Sequence, residues 1–380
     1  MDNLKDLARQ TGAWRSGRRE FLRRAALLGL SLGAAEQLAA TLGHPGEAQG
    51  AFSFKIPKHP PTHLAKVDTA KYKTSPPLKI GYADASQSNS WRIMTKANVD
   101  YAASTYGSKV QLLYTNANDS VPKQISDIED LVTRGAQAII IGATDDKAVC
   151  PSIVKLNARG IPSIILERAV QCTDYTTFIN TDLVWHGILM MEYVCQKIGG
   201  KGNVVIIGGA PGNGATVDVM KGYKEVLGRY PNVRLLATDY AYYDPAKGRQ
   251  VMENFLTAYS KIDGIAIMSG NMGIGVYKAV AAAGRVSQIK AWTGDDANGW
   301  LKIVAKEKLP SMNIPDPVTC GQDAVRAAVD ILEGRKVTNP WLVQAPMITD
   351  QNIGQYVRFD RPDEWWYSKL PDRFDPYAKK

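Results

Sequence analysis

Residues 124–168, QISDIEDLVTRGAQAIIIGATDDKAVCPSIVKLNARGIPSIILER, hold the pattern that decides the fold class. The stretch 124–135 has apolar residues at helical spacing and stops at Gly135, and the run AQAIIIGAT that follows is typical of a buried strand. The same order then repeats, with a helix that ends at Gly160 and the strand IPSIILER. A continuously apolar strand must be covered on both faces, which indicates a parallel sheet between helices.

The alternation of strand and helix continues along most of the chain. It runs from the strand LKIGYAD at 78–84 to the long helix TCGQDAVRAAVDILEGRK at 319–336. Roughly ten such units are more than one open sheet of ordinary width accommodates. The pattern therefore predicts an α/β fold with two doubly wound parallel sheets, each in its own lobe.

Composition and charge limit the classes of function. The 380 residues are 45% hydrophobic and 22% charged, which is ordinary for a globular protein. The net charge is +9, but the basic residues are scattered and form no stripe interleaved with aromatic residues, which argues against a nucleic-acid partner. After residue 50 no apolar run has the length of a membrane span.

The first 50 residues are predicted to be an export signal. The segment SGRREFLRRA at 16–25 places paired arginines before Phe21 and Leu22, and a short apolar stretch follows. It resembles a twin-arginine signal, although Gly17 stands where Ser or Thr is usual and Arg23 replaces a Lys. This resemblance implies a bacterial periplasmic location. A basic amphipathic helix is the alternative interpretation.

Polar and aromatic side chains gather in the loops that follow the predicted strands, which is where open parallel sheets bind ligands. The loop ASQSNSWRIM at 85–94 is an example, because Trp91 stands alone there among polar residues. Amides, carboxylates and arginines exchange hydrogen bonds with hydroxyl groups, and aromatic rings stack on the C–H face of a sugar. No histidine follows these strands, so a nucleophile with its base is not predicted.

The candidate ligand-binding residues share this position after a strand. Each Asp or Asn among them has an alternative role as the cap of the next helix. The candidates are Ser88, Asn89, Trp91, Arg92, Asp145, Glu167, Arg168, Asn213, Tyr243, Ser269, Asn271, Asp295 and Asn313.

From about Leu78 to Val337 the chain resembles the periplasmic substrate-binding proteins of sugar ABC transporters, of the ribose- and galactose-binding type. The resemblance implies two lobes joined by three crossover strands, near Asn180, Asn313 and Thr338, which close on a ligand. The stretches that carry it are residues 124–168, YTTFINTD at 175–182, GKGNVVIIGGAPGN at 200–213, TGDDANG at 293–299 and IPDPVTCGQDAV at 314–325.

The resemblance also implies roles for particular residues. Asn89 and Trp91 match residues that hydrogen-bond to the sugar and stack on it, and Arg168 matches an Arg that binds ring and hydroxyl oxygens. Further matches are Glu167 at a position that is usually Asp, Tyr243 as a second aromatic, Ser269 where Asn is common, Asp295 as an acceptor and Asn313 where ribose binders place Gln.

One departure from the family leaves the ligand open. The family often has an Arg near Val217 or Val219, and this chain has none there. A pentose is therefore one alternative among sugars, sugar alcohols and other small polar molecules. Arg92 and Glu167 also leave a zwitterion as an alternative.

The four cysteines are Cys150, Cys172, Cys195 and Cys320. None forms a Cys-x-x-Cys motif and no histidine clusters with them, so a zinc site is not predicted. In the lobes that the resemblance implies, Cys150 and Cys172 lie on neighbouring connections, and they are the pair expected if a disulfide forms. Buried free thiols are the alternative.

The predicted function is the capture of a sugar or sugar alcohol by lobe closure and its delivery to an ABC permease, by a monomer without cofactor, metal or catalysis. The expected organisation is a signal at 1–50, an extended proline-rich arm at 51–77, a first lobe of 78–180 and 314–338, a second lobe of 181–313 and 339–350, and a tail at 351–380 that packs over a domain surface.

Two other functions stay open on the same pattern. A sensor protein that presents its ligand to a receptor kinase needs the same fold and cleft. An exported NAD(P)-dependent sugar oxidoreductase is suggested by VVIIGGAPGNGATVDV at 204–219, which imitates a dinucleotide-binding motif, but Val217 occupies the third glycine position. A sugar-responsive repressor needs an N-terminal helix-turn-helix, where this chain has the predicted signal.

Overall fold

The computed structural model describes residues 52–59 and 64–378, and the predicted signal at 1–50 lies outside the described residues. The strands are β1 Ala65–Val67, β2 Leu78–Asp84, β3 Val110–Asn116, β4 Ala138–Ile141, β5 Ser163–Leu166, β6 Thr177–Asn180, β7 Gly202–Gly208, β8 Val233–Tyr240, β9 Gly264–Ile267, β10 Ala291–Gly294, β11 Ser311–Asn313, β12 Val337–Asn339, β13 Trp341–Leu342 and β14 Ile348–Thr349. The helices are α1 Ser90–Thr105, α2 Val121–Thr133, α3 Cys150–Ala158, α4 Leu183–Lys197, α5 Gly214–Arg229, α6 Pro245–Ala258, α7 Gly270–Ala282, α8 Asn298–Glu307 and α9 Cys320–Leu332.

The strands form two six-stranded sheets, which confirms the predicted two-lobe α/β fold. The first sheet has the order β13-β6-β5-β4-β2-β3 and is parallel throughout. The second has the order β14-β11-β10-β9-β7-β8, with β14 antiparallel to its neighbour. Because parallel strands of one sheet all end at the same edge, the loops after them are brought together.

The opening stretch of sequence shows why the chain folds in this way. Helix α2 starts after Ser120, whose side chain accepts a hydrogen bond from the backbone N–H of Lys123. It ends at Thr133, and Gly135 has φ +85°, a left-handed conformation that favours glycine. All four residues of β4 are buried, as the apolar run predicts.

Both faces of the first sheet are buried, which is the physical meaning of the continuous apolar strands. Ala138 and Ile140 pack with residues of α9, whereas Ile139 and Ile141 pack with residues of α2 and α3. Successive side chains of a strand point to opposite faces, so one strand contributes to two cores.

The chain passes between the two sheets three times, through residues 181–182, 314–319 and 343–347. These segments are irregular, whereas the resemblance predicted crossover strands. The third passage was expected near Thr338, but it comes after Leu342, because β13 still pairs with β6 of the first sheet. That short pairing places residues 341–342 in the first sheet.

The predicted extended arm contains one strand. Within residues 64–77, β1 pairs antiparallel with β12 in a separate two-stranded sheet, with Ala65 opposite Asn339. The three residues of β1 lie between Pro61 and Pro76, where the sequence is free of proline and every backbone N–H is available to pair.

Cys150 and Cys172 form a disulfide, which is the pair that the resemblance predicts. It joins the start of α3 to the loop after β5, and the backbone N–H of Gln171 also donates to the carbonyl of Asp146. Cys195 and Cys320 are buried free thiols. Burial raises the pKa of Cys195 to about 12, which suppresses its thiolate.

The sequence predicts that the tail packs over a domain surface, and in the structure its two tryptophans are buried. Trp365 and Trp366 are 2% and 4% exposed, respectively, and Trp366 forms an isolated bridge with Ala297. Among the helices of residues 64–378, none is both long enough and apolar enough to cross a bilayer.

Candidate ligand-binding site

A cavity of about 370 Å³ lies between the loops at the carboxyl ends of the two sheets. The first lobe contributes the start of α1 and the loop after β5, and the second lobe contributes the starts of α4 to α7 and the loop after β10. Its lining residues are Asn89, Ser90, Trp91, Arg92, Glu167, Arg168, Leu183, His186, Met190, Asn213, Ala215, Val219, Tyr242, Tyr243, Asp244, Met268, Ser269, Asn271, Asp295, Ile314, Asp316 and Trp366.

The structure brings most of the residues predicted from strand ends to this one cavity. The reason is that these residues all follow parallel strands, and the ends of such strands meet at one edge of the sheet whatever the side chains are. The predicted residues that line it are Asn89, Trp91, Arg92, Glu167, Arg168, Asn213, Tyr243, Ser269, Asn271 and Asp295.

Ser88 and Asp145 lie elsewhere. Ser88 is exposed, and its hydroxyl hydrogen-bonds to that of Ser86 at 2.9 Å. Asp145 lines a neighbouring cavity of about 310 Å³, which shares Glu167 and Arg168 with the first. Its carboxylate accepts backbone N–H groups of Lys147 and Ala148 in the turn that follows, so it stabilises this turn and does not cap α3.

Asn313 is also placed differently from its prediction. Its side chain is fully buried in the second lobe, where Oδ1 accepts from Trp300 Nε1 at 2.6 Å and Nδ2 donates to Ser311 Oγ at 3.0 Å. Both ends of the amide are therefore engaged by the protein. A residue at the end of a strand can face the core of its own lobe, and sequence position does not distinguish the two cases.

Trp91, the lone aromatic of the first loop, forms part of the cavity wall. Its indole N–H donates to the carbonyl oxygen of Asp316 at 2.8 Å, and its ring packs partly against the first core. A ligand in the cavity can therefore contact only ring carbons of Trp91. Asn89 beside it caps α1, because its Oδ1 accepts from the backbone N–H of Arg92 at 3.0 Å.

Arg92 is a buried cation held by two carboxylates. It is 5% exposed, with Nη1 3.5 Å from Asp84 Oδ1 and Nη2 3.5 Å from Glu167 Oε2. Asp84 is buried as well and also accepts from the hydroxyl of Tyr114. Because Arg92 and Glu167 pair with each other, the pair does not offer two free charges to a zwitterion.

Arg168 offers unused hydrogen-bond capacity. Its Nη1 donates a long bond of 3.4 Å to the carbonyl of Ala143, and its Nε is 3.5 Å from a Glu167 oxygen. The buried Nε–H has no hydrogen-bond partner within residues 52–59 and 64–378. The guanidinium lines both cavities, so its donors can serve a ligand.

Three cavity residues have left-handed backbone conformations that are costly for residues with a side chain. Glu167, Tyr242 and Tyr243 have φ of 66°, 54° and 60°. Tyr243 is held at its hydroxyl by Thr216 at 2.9 Å. Its ring fills the space at Gly209, where a Cβ would lie 2.3 Å from Tyr243 Cζ, so this close approach requires glycine.

Asn213 caps α5, the helix that begins within the dinucleotide-like motif at 204–219. Its Oδ1 accepts from the backbone N–H groups of Ala215 and Thr216, at 3.0 and 3.4 Å. A pyrophosphate would need those donors at the N-terminus of α5. The side chain already occupies them, which argues against nucleotide binding by this motif.

The second lobe presents a buried carboxylate at Asp295, which is 7% exposed. Its Oδ1 accepts from the backbone N–H groups of Gly270 at 2.8 Å and Ala297 at 3.1 Å. Burial raises the pKa of Asp295, although these hydrogen bonds oppose the rise. The carboxylate ties the start of α7 to the loop after β10.

Sequence reasoning missed Asp316, His186 and Trp366. Asp316 lies in the passage 314–319, three residues after the end of β11, and is bound by Thr181 Oγ1 at 3.1 Å. Burial, and next the charge of Glu167, raise its pKa to about 7. Burial lowers the pKa of His186 to about 4, so it is neutral at pH 7. Asp316 belongs to the quoted motif IPDPVTCGQDAV, which was the available signal.

Asp316 predicts a pH dependence of stability. Between pH about 4 and about 7 the folded protein keeps the Asp316 proton and the unfolded chain does not. The free energy of unfolding therefore falls as pH rises through this range. We expect the melting temperature of the wild type, relative to Asp316→Asn, to fall between pH 5 and pH 8. Differential scanning calorimetry of the ligand-free proteins measures this. Asp239→Asn, an exposed change, is the control, and a flat difference would contradict the prediction.

Comparison with known proteins gives a consistent match. The family model of the periplasmic binding protein domain matches residues 80–336. The ribose import binding protein RbsB of Bacillus subtilis strain 168 is 27% identical over 269 residues, which are 70% of this chain and 85% of that protein. The xylitol-binding protein of Mycolicibacterium smegmatis is 29% identical over 177 residues, 46% of this chain and 51% of that protein.

Solved structures show the same fold. An ABC transporter solute-binding protein from Bacillus halodurans C-125, crystallised with bound myo-inositol, superposes with a TM-score of 0.67 at 23% identity. The match covers 74% of this chain and 98% of that one. The residues of this chain outside the match therefore have almost no counterpart in that solved structure.

Proposed function

Since this chain belongs to the periplasmic binding protein family, we propose that it captures one small uncharged polyhydroxyl molecule, a sugar or sugar alcohol, between its two lobes. The observation that carries the proposal is the cavity of about 370 Å³, whose wall is made by loops and helix starts of both lobes. This volume lies near the lower end of the range for ligand pockets, which suits a small ligand.

The chemistry of the wall fits hydroxyl groups. A hydroxyl both donates and accepts, and the cavity offers carboxylates and amides as acceptors and Arg168 as a donor. Trp91 offers ring carbons, which suit the apolar C–H face of a sugar ring. Arg92 is paired with Asp84 and Glu167, and His186 is neutral at pH 7, so neither offers an unpaired cation to an anionic ligand, which favours an uncharged one.

The relatives support the same class of ligand. By their names, the matched proteins bind ribose and xylitol, and the solved neighbour holds myo-inositol. All three molecules are uncharged and carry several hydroxyl groups. These relatives are binding proteins, which favours ligand capture over the oxidoreductase alternative.

The proposed mechanism is closure of the lobes around the ligand. A ligand that contacts both lobes only in the closed form shifts the population toward that form. We propose that the closed form then delivers the ligand to an ABC permease. The family acts in the periplasm or outside the cell, and we propose periplasmic export through the signal at 1–50.

The test is a binding measurement with two variants. Calorimetric titration of ribose, xylitol and myo-inositol, with mass spectrometry of any molecule released on denaturation, should identify a bound polyol. Trp91→Ala and Asp295→Ala are each expected to weaken its binding by about 10- to 100-fold, because each removes a wall of the cavity. Trp185→Ala serves as the matched control, since Trp185 packs on His59 outside the cavity lining.

Two outcomes would contradict the proposal. Release of a nicotinamide cofactor would favour the enzyme alternative. Binding of a polyol with equal affinity by the wild type, Trp91→Ala and Asp295→Ala would place the ligand in another site.

A further inference from the structure

The C-terminal tail, residues 351–378, lies beyond the region that the family model matches, which ends at residue 336. It is nevertheless fixed to the second lobe through Asn298, whose Nδ2 donates to the carbonyl of Arg358 at 2.8 Å and whose Oδ1 accepts from the Arg358 N–H at 2.9 Å. The carbonyls of Asp363 and Trp365 accept from the first N–H groups of α8, each at 3.0 Å. Those donors have no partner inside the helix, so the tail caps it.

The same tail is also fixed to the first lobe, through three contacts on α1. Trp366 Nε1 donates to Ser90 Oγ at 2.9 Å, and Ser368 Oγ donates to Asn98 Oδ1 at 2.9 Å. The ring of Phe374 packs edge-on against Tyr101 with centroids 5.4 Å apart. The tail therefore bridges the two lobes, in addition to the three chain passages.

Trp366 is the point where this bridge reaches the cavity. It is 4% exposed and lines the cavity, whereas its neighbour Trp365 is absent from the lining and donates instead to Asp375 of the tail. Because Ser90 engages the indole N–H of Trp366, a ligand can contact only its ring carbons. Trp91 has the same property, so the cavity contains two indole surfaces from distant parts of the chain.

We propose that Trp366 is a ligand-contacting residue that determines specificity, supplied by a tail that bridges both lobes. This inference rests on the proposed function, because it names a further wall of the same cavity. An additional ring surface favours ligands with an apolar C–H face, which cyclic sugars and cyclitols present better than open-chain alditols. The tail thus adds selectivity to a domain that the family model matches without it.

The experiment titrates the full-length protein with ribose, myo-inositol and xylitol by calorimetry. For the tightest of these ligands, Trp366→Ala is expected to weaken binding at least tenfold, and the loss should be larger for a cyclic ligand than for xylitol. Trp366→Phe keeps a ring and should retain binding within about fivefold. Trp365→Phe is the matched control, because it changes the adjacent buried indole, and it should bind as the wild type does.

The outcomes separate the inference from the proposed function. If the wild type binds none of the three ligands, the proposed function fails and the inference fails with it. If the wild type binds but Trp366→Ala binds with the same affinity and selectivity, the inference alone is overturned. Melting temperatures of the ligand-free variants identify any that do not fold. If Trp366→Ala is one of them, Trp366→Leu takes its place, because it keeps an apolar side chain without a ring. An unchanged affinity and an unchanged preference for the cyclic ligand in Trp366→Leu would overturn the inference.

Discussion

Replacement of Arg92 by Met is expected to lower the free energy of unfolding by about 3–5 kcal/mol. Removal of one partner of a buried ion pair leaves the other charge without compensation. Here Asp84 loses its cation, whereas Glu167 keeps the neighbouring Arg168. Asp84 Oδ1 is buried and has no hydrogen-bond partner within the described residues, so its ion pair is its main compensation. Urea denaturation at pH 7 measures the loss.

The control is Arg134→Met, which removes an exposed i,i+4 pair with Asp130 and should cost under about 0.5 kcal/mol. We also expect the Arg92→Met penalty to shrink as pH falls, because burial already raises the pKa of Asp84 and protonation removes its uncompensated charge. A loss near 1 kcal/mol, equal at pH 5 and pH 7, would show that the pair is of little importance.

Replacement of Arg168 by Ala is expected to weaken ligand binding about 100-fold, or about 2.8 kcal/mol. Hydrogen bonds to a charged donor are worth about 1.5–3 kcal/mol. The Arg168 guanidinium lines the cavity, and its one hydrogen bond within the described part of the chain is the long bond of 3.4 Å from Nη1 to Ala143. Isothermal titration with the identified polyol measures the effect.

Arg159→Ala is the matched control, because Arg159 is exposed on the first lobe and pairs only with Glu129 among the described ion pairs. It should leave affinity unchanged. An Arg168→Ala affinity within threefold of the wild type would show that this guanidinium has a structural role instead, through Glu167 and Ala143.

Local pattern determined most of the architecture. The repeat of helix and apolar strand in residues 124–168 predicts parallel strands buried on both faces, and Ile139 and Ile140 indeed belong to two separate cores. The same pattern predicted which residues share the cavity wall for many of them, because the ends of parallel strands must meet at one edge. Trp91, Arg168 and Asp295 line the cavity, where their position after strands places them.

What the local pattern left open depended on contacts between distant residues. Asn313 stands at the end of a strand as Asp295 does, but it bonds Trp300 and Ser311 inside its own lobe. Whether a polar residue caps a helix, packs in a core or lines the cavity depends on the side chains around it. Those side chains belong to helices and strands that are distant in the sequence. Arg92 was predicted as a ligand contact because it follows a strand. In the structure it is a buried ion-pair residue that also lines the cavity.

The C-terminal tail shows most clearly what the sequence pattern does not predict. Trp366 reaches Ser90 across a separation of 276 residues, and no periodicity or motif near either residue encodes that meeting. Sequence periodicity reports which face of an element is buried, so it determined the elements and their layers. Only the tertiary structure decided which side chains from distant elements share the cavity, because that choice depends on how whole elements pack against one another.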